Sequence, residues 1–286
     1  LAQARSPVRA FSIATISVVL TGSILVAVIP DVESVLPGHG LFGAAAAVVF
    51  LCVVTAVGVR PVRRALAAAG RQCRRRAEAE HTRGSREVPV IHGSRISGAW
   101  VALVVTMLMA AVGNFAVWTF VEEIGISLGM AEATTIRLLG VTQIIGLAGA
   151  LVAAASGGRF RRVSLLPPAL LLLAAGNLAI GLAGSPVFFI GGMIAVNVAF
   201  YCLNPLLFAK AAQLDPVGRL AAVVGGASLA GSFIAPVVGG FLAGSDNQWA
   251  RLSWTAALVI LLALGPATFA LRGVAGDSRR VGMSEG

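Results

Sequence analysis

Eight apolar runs, each near twenty residues long and almost free of charge, constrain this chain more than any other feature. They extend over Ala10 to Ile29, Leu41 to Val59, Ile96 to Val121, Ile136 to Ala155, Val163 to Ala183, Val187 to Leu207, Leu220 to Ala243 and Leu252 to Leu271. A hydrocarbon layer about 30 Å thick is crossed by about 20 residues of helix. In lipid every backbone N–H and C=O must be satisfied within the membrane, and these runs lack the apolar and polar alternation of a barrel strand, so each reads as a helix. Composition closes off the soluble alternative: 57% apolar against 12% charged residues departs far from the roughly 25% charge of a soluble domain. The expected fold class is therefore all-α, a polytopic transmembrane bundle of eight spans embedded in a lipid bilayer.

Arginine sets the orientation. If Arg5 and Arg9 are cytoplasmic, alternate loops follow, and 20 of the 22 basic residues fall on that side, leaving only Arg137 and Arg251 opposite. This is the positive-inside pattern. It predicts a multi-pass protein of the inner (plasma) membrane with both termini in the cytoplasm, and it puts Asp31, Glu33, Glu122, Glu123, Glu132 and Asp246 on the far side. The net charge of +10 gives no case for nucleic acid, because the arginines are distributed between spans. The first run follows "ARSPVR", but at twenty residues it exceeds a signal-peptide core and reads as a retained helix. Cys52 and Cys202 lie in spans and Cys73 in a loop, so no disulfide framework is implied.

Most connections are short, but Arg60 to Arg95 is a 36-residue polar interlude with ten arginines. Its first part has helical propensity and is expected at the membrane surface near anionic lipid headgroups; the rest reads as linker.

The stretch from Asp215 to Gly244, "DPVGRLAAVVGGASLAGSFIAPVVGGFLAG", holds seven glycines and two prolines, a composition that destabilises a helix in water. Lipid changes the argument. Apolar tails do not drive apolar helices together, so association depends on close approach, which small residues permit. Ala227, Gly231, Ala235, Gly239 and Ala243 recur every fourth residue and form one smooth ridge. Gly225, Gly226 and Pro236 add places where the helix can bend, and the ridge reads either as static packing or as a surface that also moves.

Chemistry within the runs is sparse. The histidines, His39, His81 and His92, fall in loops, no His/Cys/Asp/Glu set has metal-ligand spacing, and neither a nucleophile with its base nor a phosphate-binding loop is present. No enzyme activity and no cofactor are expected.

The arrangement of two helices, a long linker and six helices resembles the major facilitator superfamily, whose two six-helix halves are joined by a cytoplasmic loop. The resemblance rests on "GGRFRR" with Gly157, Gly158 and Arg159, on Leu214 to Gly244 with Asp215, Gly218, Arg219, Pro236, Gly239 and Gly240, and on "NFAVWTFVEEIGISLGMAEATTIRLLGVTQIIGLAGALVAA" from Asn114 to Ala154. The last stretch is similar to drug and sugar efflux permeases, and "GGRFRR" lacks the acidic residue of the full loop motif. The match implies that the eight spans correspond to the fifth to twelfth of twelve. On that reading residues 1–60 carry the last two helices of an N-terminal half, 61–95 the linker, 96–272 a six-helix C-terminal half and 273–286 a tail.

The resemblance also implies secondary transport of a small molecule by alternating access at mid-membrane, with proton-coupled efflux of an amphipathic or hydrophobic compound. A facilitator or importer of a small metabolite and a non-transporting truncated membrane protein stay open. Asn114, Phe115, Trp118 and Glu122 share one side of a continuous third span, which in the superfamily lines the central cavity, and Asn197, Tyr201 and Asn204 share a face of the sixth. Gln143 completes the cavity candidates. Glu122 and Glu123 read as a solvated rim or a proton relay. Lys210, near a cytoplasmic end, is expected to snorkel.

Overall fold

The computed structural model describes residues 98–156, 165–215, 217–244 and 248–271, together with Phe11, Ser12, Thr15, Ile16, Val19, Leu20 and Gly22 of the first span. The chain divides into two compact units, Leu1–Pro30 with Ser97–Gly286, and Asp31–Ile96. The second expected span and the arginine-rich interlude lie outside the described residues, as do Gly157, Gly158 and Arg159.

Within the first unit the described segments are α1 (Gly98–Trp118), α2 (Val121–Ser127), α3 (Glu132–Ala155), α4 (Leu166–Gly181), α5 (Pro186–Leu214), α6 (Arg219–Ala243) and α7 (Trp249–Leu262). Five helical stretches are long and apolar enough to cross a membrane: Gly98–Ser127, Glu132–Ala155, Pro186–Leu214, Arg219–Ala243 and Trp249–Leu271. No strand occurs among the described residues. The protein is accordingly all-helical, with the helices of a membrane-embedded bundle.

Boundaries depart from the sequence reading where local geometry intervenes. The third span is not one continuous helix. At Thr119 and Phe120 the chain tightens, with the Phe120 N–H donating to Val117 O at 3.0 Å and the Thr119 hydroxyl donating to Phe115 O at 2.8 Å. A new helix then starts with Glu122 and Glu123 in its first turn, where the positive end of the peptide dipoles favours carboxylates. The fifth expected span contracts to the 16 residues of α4, and the sixth lengthens to the 29 of α5, with Pro205 inside it. The last span has a turn at Ala263. There Pro266, which has no N–H, leaves the Leu262 carbonyl without its helical donor.

Packing follows small residues. α5 lies between α3 and α4, while α1 lies against α6 and α7, and α7 also packs on α4. Between α4 and α5 the approach is reciprocal: a Cβ on Gly176 would fall 3.1 Å from the Gly192 carbonyl oxygen, and one on Gly192 would fall 3.0 Å from that of Gly176. The two backbones touch, and any side chain at either position would part them. Dispersion at such contacts, multiplied along a helix, supplies the cohesion that water supplies to a soluble core.

α6 has two opposed faces. Its buried residues are Leu220, Val224, Ala227, Gly231, Ala235, Gly239 and Ala243, so the every-fourth-residue ridge faces the bundle. Two positions along, or 200° around the helix, Leu229, Phe233, Val237 and Phe241 form an outward row, with Phe233 78% and Phe241 82% exposed. In water such a row is an aggregation hazard; in hydrocarbon it is matched by its surroundings.

Candidate functional site

The polar and aromatic candidates divide between two places. On the α3, α5 and α1 side they form a connected strip. Phe115 of α1 meets Phe200 of α5 edge to face, with ring centroids 5.4 Å apart and planes at 79°. Phe200 in turn lies 6.3 Å from the ring of Tyr201, whose hydroxyl donates to Gln143 Oε1 of α3 at 3.2 Å. One turn earlier Asn197 Nδ2 donates to Thr142 Oγ1 at 3.4 Å and to Met193 O at 3.0 Å. Asn204 Nδ2 donates to its own helix at Phe200 O, 2.9 Å away. Phe115, Gln143, Phe200, Tyr201 and Asn204 are all half-buried, so the strip offers aromatic surface and amide groups at the edge of the packed interior.

Asn114 is elsewhere. It is only 3% exposed and its Oδ1 accepts from Asn177 Nδ2 of α4 at 3.5 Å; Asn177 also donates to Leu173 O at 2.8 Å. The shared face expected for Asn114, Phe115, Trp118 and Glu122 is therefore corrected. Asn114 joins α1 to α4 inside the bundle, Phe115 turns to α5, Trp118 is half-buried against the core, and the turn at 119–120 breaks the register that would carry the face on to Glu122. Glu122 is half-buried, whereas Glu123 and Glu132 are exposed.

The smooth ridge of α6 lies on α1. A Cβ on Gly231 would fall 2.6 Å from the Ala111 Cβ and 3.2 Å from Leu108 O, and one on Gly239 would fall 2.7 Å from Ala116 O. Ala235 is fully buried between them. Pro236 is half-buried and Gly240 exposed, off the line of contact.

Both ends of α6 are held by charge. At its start Gly218 takes a left-handed conformation, φ 91°, which returns the chain so that the Asp215 carboxylate faces the new helix. Asp215 Oδ2 accepts from the Leu220 N–H at 2.8 Å and Oδ1 from the Val217 N–H at 3.1 Å. These backbone donors, the Leu220 N–H above all, hold the Asp215 carboxyl below the ordinary carboxylate pKa, with the Arg219 charge adding to them against the opposing effect of burial. At the other end the Arg251 guanidinium, from the first turn of α7, donates through Nε to Leu242 O at 2.8 Å and through Nη2 to Phe241 O at 3.1 Å. The sequence reading named Asp215 and Arg219 only as motif residues and missed Arg251. The signal was present in an acidic residue before a Gly–Arg helix start and an arginine soon after a Gly helix stop.

Lys210 also departs from expectation. It is 6% exposed, so it does not snorkel out. Pro205, Leu206, Leu207, Ala209, Ala211 and Ala212, its neighbours along α5, are buried with it.

Two grooves open on the surface. One of about 530 Å³ lies between the end of α4 and the start of α5, lined by Leu178, Leu182, Ser185 and Phe188 among others. A second, about 160 Å³, lies over Gly149, Leu165, Pro168, Val198 and Cys202. Both are lined by residues outside the strip. Among the described residues no three His, Cys, Asp or Glu side chains gather as a metal site. Comparison with protein-family models, with curated proteins and with solved structures finds no match to this chain.

Proposed function

We propose that this chain is part of a secondary transporter of the major facilitator type, with eight spans in the inner membrane and both termini in the cytoplasm. On this reading it exports a small amphipathic or hydrophobic compound in exchange for protons. The observation that carries the proposal is the strip Phe115–Phe200–Tyr201–Gln143, which links three helices by ring contacts and a hydrogen bond. Its rings suit an apolar body and its amide and hydroxyl suit a polar end, the chemistry a site for an amphipathic solute needs. The ridge between α1 and α6 supports the same reading, because a contact made of glycine and alanine has few interlocking side chains to resist displacement.

The test is transport by the full chain in vesicles under an imposed proton gradient, read with an amphipathic fluorescent dye. Gradient-dependent dye movement is expected, with Glu122→Gln reducing it more than Glu123→Gln because Glu122 is the less exposed of the pair. Movement that ignores the gradient points to a facilitator. No movement of dye or of small metabolites leaves a non-transporting membrane protein.

A further inference from the structure

A buried lysine needs a counter-charge, and the described residues of this chain supply none to Lys210. Their acidic side chains are four: Glu122, Glu123, Glu132 and Asp215. Asp215 is five residues from Lys210, but its two oxygens are taken by the Val217 and Leu220 N–H groups. The three glutamates belong to the opposite end of the bundle, as α2 shows by its contact with the start of α5: a Cβ on Gly125 would fall 3.4 Å from Phe189 Cε1. From Phe189 to Lys210 the helix rises about 30 Å, beyond any useful attraction to that rim. Lys210 makes no hydrogen bond or ion pair with any described residue, while it is 94% removed from solvent by its 6% exposure.

We propose that Lys210 is the cationic half of a binding site for an oxyanion, a phosphate or carboxylate group, at the Leu214 end of α5. An ammonium on a flexible stem acts as a point charge toward such groups, and in a low-dielectric wall that charge is little screened. The site lies four residues from the end of α5, about 6 Å along the axis, within reach of a lipid headgroup at the membrane face or of a small soluble anion. The inference does not depend on the transport reading.

The experiment follows thermal unfolding of the full chain in uncharged detergent, for wild type, Lys210→Met and Lys210→Arg. The probes are phosphatidylglycerol micelles, phosphatidylcholine micelles as the uncharged control, inorganic phosphate, and sodium chloride at matched ionic strength. Wild type is expected to gain about 5 °C at a hundredfold excess over the dissociation constant, Lys210→Arg to keep most of the gain and Lys210→Met to lose it. A gain from phosphatidylglycerol alone makes the ligand a headgroup; a gain from inorganic phosphate makes it a soluble anion. The rise of wild type with the logarithm of probe concentration stands as a separate measurement if Lys210→Met does not fold. Equal gains in wild type and Lys210→Met, or no gain over the chloride control with either anionic probe, overturns the proposal.

Discussion

Replacing Gly231 by leucine tests the contact on which α6 depends. The first added carbon alone would sit 2.6 Å from Ala111 Cβ, 3.1 Å from the Val112 nitrogen and 3.2 Å from Leu108 O. Two of those three atoms are α1 backbone, which cannot turn aside, so the helices must separate by about 1 Å for the Cβ and further for the rest of the side chain. A gap of that size forfeits up to half of each dispersion well. If the ridge makes about 40 atom pairs at 0.1–0.2 kcal/mol each, the loss is about 3 kcal/mol, at the upper end of the usual cost of overpacking. The control is Gly226→Leu, on the same helix, where an added Cβ would meet nothing within 4 Å. Leucine has the better helix propensity of the two residues, so the control should be neutral or mildly stabilising. Thermal unfolding of the purified proteins in one detergent should then place Gly231→Leu at least about 6 °C below Gly226→Leu. Equal midpoints for the two variants would refute the claim that backbone proximity at Gly231 holds α6 to α1.

Two further outcomes follow from individual hydrogen bonds. Tyr201→Phe removes the donor to Gln143 Oε1; interhelical bonds in membranes average about 0.6 kcal/mol, so the unfolding midpoint should fall by only about 1–2 °C, while apparent affinity for transported dye falls further if the strip meets the solute. An affinity equal to wild type in that variant would remove Tyr201 from the site. Asp215, whose folded pKa is depressed, contributes stability that is complete above the ordinary carboxylate value of about 3.9 and is lost as pH falls through the lower folded value. Asp215→Ala should therefore speed hydrogen exchange at the Leu220 and Val217 amides by about tenfold near neutral pH, with the difference from wild type shrinking only in strong acid; a difference that disappears already at pH 6 would contradict the assignment.

The parts of the fold that depend on a uniform solvent were legible in the sequence. A run such as Val187 to Leu207 announces a helix because lipid imposes one requirement along its whole length, and the α6 ridge was legible because alanine and glycine at every fourth position leave one face without protruding side chains. Tertiary choice was not. Asn114 and Phe115 are adjacent, yet one turns to α4 and the other to α5, and nothing in a helical wheel says which neighbour each will find. The wheel also failed at Glu122, because one tightened turn at Thr119 and Phe120 resets the phase of everything after it. Phe200 escaped notice because an aromatic ring inside an apolar run looks like any other core residue, although it is what joins Phe115 to Tyr201. Lys210 was misplaced for a different reason: four residues from a helix end is close enough to escape, unless the last two turns are enclosed, and enclosure is a property of neighbours.

The two charged clamps on α6 have a mechanical consequence. Asp215 ties the first turn of α6 to the segment leaving α5, and Arg251 ties its last carbonyls to α7. Spinning α6 about its own axis would strain both ties at once, and half a revolution would bring the rings of Phe233 and Phe241 onto a track cut for hydrogen atoms. Displacement along the track meets no such obstacle, since alanine and glycine repeat at a constant interval. The helix is thus keyed like a slide in a groove: torque on it is resisted at both ends, while thrust along its length is passed on to α5 and α7 together.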